Sequence, residues 1–192
     1  MINTTQVNES SVSLKRNYQH LILGGARSGK SRYAESLVAQ LLNENQGLSK
    51  PPIYLATAEA KDDEMVARIS KHQQDRLDKG LSWKLVEEPC DIASIIKSLT
   101  QQDVVLIECL TLWLNNCLYQ DNWSEQKKQF LSALSQSSAH IVMVSNEVGF
   151  GITPDNALAR QFIDEAGWLH QELATLCNHV SLITAGIQQK LK

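Results

Sequence analysis

The chain has 192 residues, of which 43% are hydrophobic and 20% charged, and its formal net charge is −3. This length suits one globular domain with its own core, and the small net charge gives no general attraction to nucleic acid or to an anionic membrane. No apolar run approaches the roughly 18 residues that a membrane span needs, and the polar amino terminus lacks the apolar centre of a signal peptide, so we expect a cytoplasmic protein.

The predicted elements alternate along the chain after a polar, flexible tail at residues 1–17, and residues 18–192 are expected to form a single domain. Strands are predicted at residues 20–23, 53–56, 83–86, 104–107, 141–144 and 180–184, and the last of these is expected to close the sheet. Helices are predicted at residues 31–42, 62–74, 92–99, 111–119, 125–134 and 154–177, with Pro154 opening the last one, and a polar loop at 75–82. Strands rich in Val, Ile and Leu that are each followed by a helix predict an α/β fold of three layers, with helices on both faces of a mainly parallel sheet.

The first strand leads directly into the stretch G-G-A-R-S-G-K-S at residues 24–31, which satisfies the pattern G-x-x-x-x-G-K-[ST]. The glycines let the backbone turn sharply and bring its N–H groups close to phosphate oxygens. Lys30 can reach the β- and γ-phosphates, and the Ser31 hydroxyl can ligate Mg²⁺. The helix that follows adds the positive end of its dipole to the same anion. We therefore predict a nucleotide-phosphate site here rather than a flexible linker.

A second acidic group on a neighbouring strand usually helps to hold the metal of such a site, and Glu108, at the end of the apolar run V-V-L-I-E, is the best candidate. Asp is the commoner residue there, so Glu108 departs from the usual pattern, and a surface carboxylate at a strand end remains the alternative. A phosphate loop by itself does not distinguish kinases, ATPases, GTPases and nucleotidyltransferases.

A candidate nucleophile, His72, lies in the predicted helix at residues 62–74. Arg68 and Arg76 are each four residues from His72, so two guanidinium groups would lie within one turn of the imidazole. Nearby cations lower the pKa of a histidine, and a neutral imidazole can attack phosphorus. The alternative is a histidine at a helix end that interacts with the helix dipole, and the spacing alone leaves both readings open. We interpret the other four histidines as packing residues, and the four cysteines, which form no C-x-x-C pair, as buried thiols.

Several blocks together resemble the bifunctional adenosylcobinamide kinase / adenosylcobinamide-phosphate guanylyltransferase family of cobalamin biosynthesis. These blocks are L-I-L-G-G-A-R-S-G-K-S-R-Y-A-E, Y-L-A-T-A-E-A-K-D-D-E-M-V-A-R-I-S-K-H-Q-Q-D-R, V-V-L-I-E-C-L-T-L-W-L-N-N, V-S-N-E-V-G-F-G-I-T-P-D-N-A-L-A-R-Q-F-I-D-E-A-G and L-I-T-A-G-I-Q-Q-K-L-K. The resemblance covers residues 20–192. It implies a RecA-like P-loop NTPase fold and, as an expectation, a homotrimer.

The resemblance implies two reactions. An NTP, either ATP or GTP, phosphorylates the hydroxyl of the aminopropanol arm of adenosylcobinamide, and GTP then transfers GMP to the resulting adenosylcobinamide-phosphate, which gives adenosylcobinamide-GDP and pyrophosphate. In this family the guanylyl group passes through a histidine in the motif R-I-x-x-H, which residues 68–72 match, so His72 takes the role of nucleophile.

The resemblance also carries site residues over by position. The GTP phosphates would be bound by Gly24, Gly25, Ala26, Arg27, Ser28, Gly29, Lys30 and Ser31. Further nucleotide contacts would come from Ala58, Glu59, Ala60, Gln73, Gln74, Asp75, Arg76, Glu87 and Glu108. Lys30 and His72 are the expected catalytic residues, and Mg²⁺ is expected near Ser31 and Glu108.

Two departures from the family pattern affect the geometry of one loop. The family commonly has Arg-Pro four residues after the histidine, where this chain has Arg76 and Leu77, and the loop that leads to Trp83 is a few residues longer. The contacts that this loop makes to the base or the corrinoid therefore stay open. A monofunctional P-loop kinase for a small molecule, which would have no need of His72, is the alternative enzyme, and a nucleotide-binding switch or assembly ATPase is the alternative outside metabolism.

Overall fold

The computed structural model of the chain describes residues 17–44, 48, 50–59 and 81–192. Its elements in chain order are β1 (Gln19–Gly24), α1 (Lys30–Glu44), β2 (Ile53–Ala56), β3 (Lys84–Glu87), α2 (Ile92–Ser98), β4 (Val104–Glu108), α3 (Leu110–Tyr119), α4 (Trp123–Gln136), β5 (His140–Asn146), α5 (Ala157–Leu176), β6 (His179–Thr184) and β7 (Ile187–Lys190).

The seven strands form one sheet in the order β3-β2-β4-β5-β1-β6-β7. Every pairing is parallel except that between β6 and β7, which form an antiparallel hairpin. Since the carboxyl ends of parallel strands meet at one edge of a sheet, the segments that follow β1, β2, β3, β4 and β5 all begin along that edge.

Side chains alternate between the two faces of the sheet, and a separate apolar cluster covers each face. In β5, Val142 and Val144 pack with α1 on one face, which we call the α1 face. Ile141 and Met143 point to the opposite face, where they pack with apolar residues of α2, α3, α4 and α5. Because every central strand is buried on both sides, these strands consist of nearly continuous apolar residues.

The predicted three-layer α/β fold, with helices on both faces of a mainly parallel sheet, is confirmed. The strand β1, which precedes the phosphate loop, is separated by the single strand β5 from β4, which ends in Glu108. The cysteines are free and buried, as expected. Among the described residues, no helix is long and apolar enough to cross a membrane.

Two predictions near the carboxyl terminus are wrong. The chain does not end its sheet with β6, because β7 pairs with it; all four residues of β7 are exposed, so its sequence I-Q-Q-K shows no alternation that could predict a strand. The long helix does not open at Pro154 but begins at Ala157, because the side chain of Asn156 accepts a hydrogen bond from the N–H of Ala159 at 3.1 Å and so caps the helix.

Candidate functional site

The phosphate loop lies where the sequence predicts it, between the end of β1 and the first turn of α1. Gly24 has φ +153° and Gly29 φ +101°, values that L side chains rarely adopt. A Cβ on Gly24 would overlap the carbonyl oxygen of Ile183, and a Cβ on Gly29 would lie 3.2 Å from the Cα of Gly186. The two glycines therefore allow both the sharp turn of the loop and the close approach of the β6–β7 hairpin.

The tip of that hairpin is joined to the loop by a backbone hydrogen bond. The N–H of Gly186 donates to the carbonyl oxygen of Ser28 at 2.8 Å. Both residues of the tip, Ala185 and Gly186, have positive φ, which is the conformation of a tight two-residue hairpin turn. The hairpin thus holds the phosphate loop from the side of β6, and no signal in the isolated sequence points to this contact.

Lys30 is buried although it is charged, with 6% of its surface exposed. Its Nζ donates a hydrogen bond of 2.6 Å to the carbonyl oxygen of Gly25, across the mouth of the loop. This contact keeps the ammonium group folded back over the phosphate loop. A bound phosphate would compete for the same Nζ and would satisfy the charge better than a carbonyl group does.

The predicted metal pair is also brought together. Ser31 Oγ donates a hydrogen bond of 3.0 Å to Glu108 Oε1, although the two residues are 77 positions apart. Glu108 reaches Ser31 because β4 ends on the same edge as β1 and its last side chain points to the α1 face, like Val104 and Leu106 before it. A hydroxyl and a carboxylate are hard oxygen ligands of the kind that Mg²⁺ prefers, so these residues fit the metal.

The residue after Glu108 is a buried thiol with no nucleophilic character. Burial first, and the neighbouring Glu108 second, raise the pKa of Cys109. Its Sγ lies 3.2 Å from the hydroxyl of Thr111, and its carbonyl oxygen accepts a hydrogen bond of 2.8 Å from Thr57. Cys109 therefore anchors neighbouring segments and stays protonated near neutral pH.

Three of the predicted nucleotide contacts beyond the phosphate loop, Ala58, Glu59 and Glu87, lie on the same edge of the sheet but further along it. Ala58 and Glu59 follow β2, anchored by the bond of Thr57 to Cys109 and by a 2.8 Å hydrogen bond from Asn116 Nδ2 to the carbonyl oxygen of Thr57. Glu87 ends β3, is exposed, and lies in register with Ala56. Four strand spacings separate β3 from β1, so Glu87 lies about 19 Å from the phosphate-loop strand.

Several predicted site residues fall outside the described residues, namely Ala60, His72, Gln73, Gln74, Asp75 and Arg76. The described chain stops at Glu59 on the carboxyl edge, one strand away from Glu108, and starts again at Leu81. The roles of these residues stay predictions.

The structure also places polar residues at the phosphate loop that the sequence reasoning did not single out. Asn146, the last residue of β5, lies in register with Gly24, and its Nδ2 donates a hydrogen bond of 3.0 Å to Thr111 Oγ1. A polar stretch directly after a buried strand, in the block V-S-N-E-V-G, is the signal that could have identified it.

A buried hydrogen-bonded group fixes the end of β5 from the other face of the sheet. Ser145 Oγ and His170 Nε2 are 2.7 Å apart, and His170 Nδ1 lies 3.7 Å from Glu147 Oε2. Burial lowers the pKa of His170, and the Glu147 carboxylate only partly opposes that shift, so the ring is neutral at neutral pH. The N–H of Glu147 donates a bond of 3.0 Å to the carbonyl oxygen of Gly24, which ties this group to the phosphate loop.

Comparison with known proteins agrees with this geometry. A profile of the family described as cobinamide kinase / cobinamide phosphate guanyltransferase matches residues 20–191. The bifunctional adenosylcobalamin biosynthesis protein CobP of Pseudomonas aeruginosa is 42% identical over 176 residues, which are 90% of this chain and 96% of that protein. The bifunctional adenosylcobalamin biosynthesis proteins CobU of Escherichia coli K12 and Salmonella typhimurium are 38% and 35% identical, each over 90% of this chain and 98% of the relative.

Among solved structures, a KaiC-like protein of Pyrococcus horikoshii is similar over 87% of this chain and 71% of its own, with a TM-score of 0.47 and 12% identity. The family profile and the curated relatives cover nearly the whole domain that carries the phosphate loop, the Ser31–Glu108 pair and β5. The chain therefore belongs to the cobinamide kinase / cobinamide phosphate guanyltransferase family.

Proposed function

We propose that this protein phosphorylates adenosylcobinamide with a nucleoside triphosphate and then transfers GMP from GTP to adenosylcobinamide-phosphate, which gives adenosylcobinamide-GDP. The observation that carries the proposal is a complete phosphate loop, with Lys30 above it and Ser31 bonded to Glu108, in a chain of this family. Both reactions begin with a triphosphate, which such a loop is built to bind.

In the kinase reaction, the hydroxyl oxygen of the substrate bonds to the γ-phosphorus while the bond from that phosphorus to the β,γ-bridging oxygen breaks. The products are the phosphate ester, a nucleoside diphosphate and the proton of the alcohol. Lys30 neutralises charge on the leaving β-phosphate and on the transferred group, and the backbone N–H groups of residues 25–30 hold the chain of phosphates in line.

Mg²⁺ would be held by the Ser31 hydroxyl, with Glu108 beside it, and by oxygens of the phosphates. When bound, it withdraws charge from the phosphates and so makes the phosphorus easier to attack. The 3.0 Å bond between Ser31 and Glu108 holds both oxygens next to each other at the start of α1.

In the guanylyl transfer, His72 would attack the α-phosphorus of GTP and release pyrophosphate, forming a phosphoramidate bond to GMP. An oxygen of adenosylcobinamide-phosphate would then attack the same phosphorus and release the neutral imidazole. The proposal for His72 rests on its motif R-I-S-K-H and on the flanking Arg68 and Arg76. Contacts to GTP from Ala58, Glu59, Ala60, Glu87 and residues 73–76 belong to the same proposal.

We place the enzyme in the cytoplasm and expect it to act as a homo-oligomer, with a trimer as the expected form. Exposed apolar side chains support an assembly: Ile152 is 96% exposed and Phe150 81% exposed, both on the loop between β5 and α5. Large exposed apolar groups on one loop are typical of contact surfaces between subunits. No contact with nucleic acid is proposed, since the net charge is −3.

The experiment that tests the guanylyl half is a search for a covalent protein–GMP adduct after incubation with GTP labelled on the α-phosphate. A phosphoramidate is labile in acid and stable in alkali, so we expect an adduct with this behaviour in the wild type. We expect it to be lost in His72→Ala and kept in His179→Ala, a matched change at the first residue of β6.

An adduct that persists in His72→Ala would show that another residue is the nucleophile. A wild type that phosphorylates cobinamide but forms no adduct would instead be a monofunctional kinase. A wild type that binds nucleotides and turns over no cobinamide would support a nucleotide-binding switch.

A further inference from the structure

The end of β5 lies beside the phosphate loop, yet the kinase mechanism given above assigns no role to it. Asn146 is in register with Gly24, the first residue of the loop, and the next residue, Glu147, is hydrogen-bonded to the Gly24 carbonyl oxygen. β5 lies between β1 and β4, so its end lies between the strand that leads into the phosphate loop and the strand that ends in Glu108. Any group that projects from this strand end toward α1 is therefore next to the phosphates held by Lys30 and Ser31.

The alternation of side chains along β5 identifies Asn146 as the residue that projects toward α1. Val142 and Val144 belong to the cluster on the α1 face, so Asn146, two residues further on, points to that face as well. Glu108 reaches the same face from the adjacent strand and bonds Ser31. Ser145 instead points to the opposite face, where it meets His170.

The amide of Asn146 is held in place while part of it stays accessible. Its Nδ2 donates a 3.0 Å hydrogen bond to Thr111, a residue that is 4% exposed and that also contacts Cys109. The residue as a whole is only partly buried, unlike the six residues of β5 before it. An amide nitrogen has two N–H groups, so one can bond Thr111 while the other faces an acceptor on a ligand.

We infer that Asn146 contacts the terminal phosphate of the bound nucleoside triphosphate and thereby distinguishes a triphosphate from a diphosphate. The second N–H of the amide would donate to a γ-phosphate oxygen. The bond to Thr111 fixes the rotamer, and the Ser145–His170 pair fixes the strand end from the other face. The inference rests on the proposed phosphate site and adds a residue to it.

The experiment measures the affinities of the protein for GDP and for the non-hydrolysable β,γ-imido analogue of GTP, both with Mg²⁺. The same two measurements are made with ADP and the corresponding analogue of ATP. The quantity of interest is the ratio of the two dissociation constants. We expect Asn146→Ala to reduce the preference for the triphosphate analogue about tenfold while GDP binds as in the wild type, because one charge-assisted hydrogen bond is lost. Asn146→Asp keeps the shape of the side chain but sets a carboxylate against the phosphate, so the preference should fall at least as far.

Two further variants separate this contact from damage to the fold. Ser145→Ala removes a buried hydrogen bond at the same strand end but no group on the α1 face, so it should lower the melting temperature and change both affinities by the same factor. Asn115→Ala, a matched substitution on α3, should change neither. A ratio within twofold of the wild type in a folded Asn146→Ala or Asn146→Asp variant would overturn the inference.

Cobinamide turnover by the wild type is measured separately. A protein that binds nucleotides with the expected ratios but phosphorylates no cobinamide would refute the proposed function and leave Asn146 as a phosphate contact. A protein with normal cobinamide phosphorylation and an unchanged ratio in the variants would refute only the role of Asn146.

Discussion

The carboxyl edge of the sheet has two ends, and the predicted site residues are held very differently at each. At the phosphate-loop end, formed by β1, β5 and β4, polar groups from distant parts of the chain bond one another, as in Ser31 with Glu108 and Gly186 with Ser28. At the other end, β3 has β2 as its single neighbour within the described part of the chain, its side chains are largely exposed, and Glu87 is exposed to solvent.

The difference follows from the position of each strand in the sheet. A strand with neighbours on both sides has its end fixed in two directions, so a side chain there arrives in one orientation before any ligand binds. An edge strand is fixed from one side only and leaves its last side chain free to adjust. We therefore expect substitutions at the phosphate-loop end to affect catalysis strongly and matched substitutions at the β3 end to affect it weakly.

The largest effect is expected for Lys30→Met, which keeps most of the apolar stem and removes the charge. Both reactions should lose about three orders of magnitude in rate, because each needs charge neutralisation on the triphosphate. Steady-state assays of cobinamide phosphorylation and of guanylyl transfer measure this. Lys84→Met, the same change on the exposed edge strand, should stay within about twofold of the wild type. An equal loss in the two variants would contradict the comparison between the two ends.

The second-largest effect is expected for replacing a glutamate with glutamine, a substitution that can be made at both ends of the carboxyl edge. Glu108→Gln should lower the rate of both reactions about 100-fold and raise the Mg²⁺ concentration needed for half-maximal rate, because a carboxylate beside the proposed metal ligand Ser31 is lost. Glu87→Gln should cost about tenfold or less in guanylyl transfer and leave the Mg²⁺ requirement unchanged. Titrations of both variants with Mg²⁺ measure the concentration needed for half-maximal rate. A changed Mg²⁺ concentration for Glu87→Gln would show that the metal does not lie at Ser31.

The smallest effect on activity at neutral pH is expected for a substitution of His20, which lies near the start of β1, away from the phosphate loop. Its ring is 3% exposed and bonds Tyr18 through Nδ1 and Ser181 through Nε2, each at 2.8 Å. Burial first, and then His179, lower the pKa of His20 from 6.5 to about 4. Near pH 7 the ring is neutral in both the folded and the unfolded chain, so it favours neither state.

At acidic pH we expect His20 to lower the free energy of unfolding. Between pH 6.5 and pH 4 the unfolded chain binds a proton at this residue more readily than the folded protein does, so stability falls as the pH falls. The loss from this group should be on the order of 3 kcal/mol at pH 4. Chemical denaturation at several pH values measures it, and His20→Gln should flatten the curve in this interval. A wild-type curve and a variant curve of the same slope would show that His20 carries no such linkage.

Much of the fold and the centre of the site could be predicted because they are encoded in contiguous residues. The glycine and lysine spacing at residues 24–31 predicts a phosphate loop with a strand before it and a helix after it, and the structure has all three. The buried run V-V-L-I-E predicts a central strand, and Glu108 at its end proves to bond Ser31. His72 stays a prediction, since it falls outside the described residues.

The remaining features depend on which strands become neighbours, which no local pattern encodes. The bond from Asn146 to Thr111 spans 35 positions, and that between Ser145 and His170 spans 25. The β6–β7 hairpin touches the phosphate loop only because β6 pairs with β1, more than 150 residues away in the chain. Contiguous residues thus suffice to specify the phosphate loop and the helix that follows it. The groups that surround the loop are selected by strand order, because hydrogen bonds between distant residues form only after the sheet has assembled.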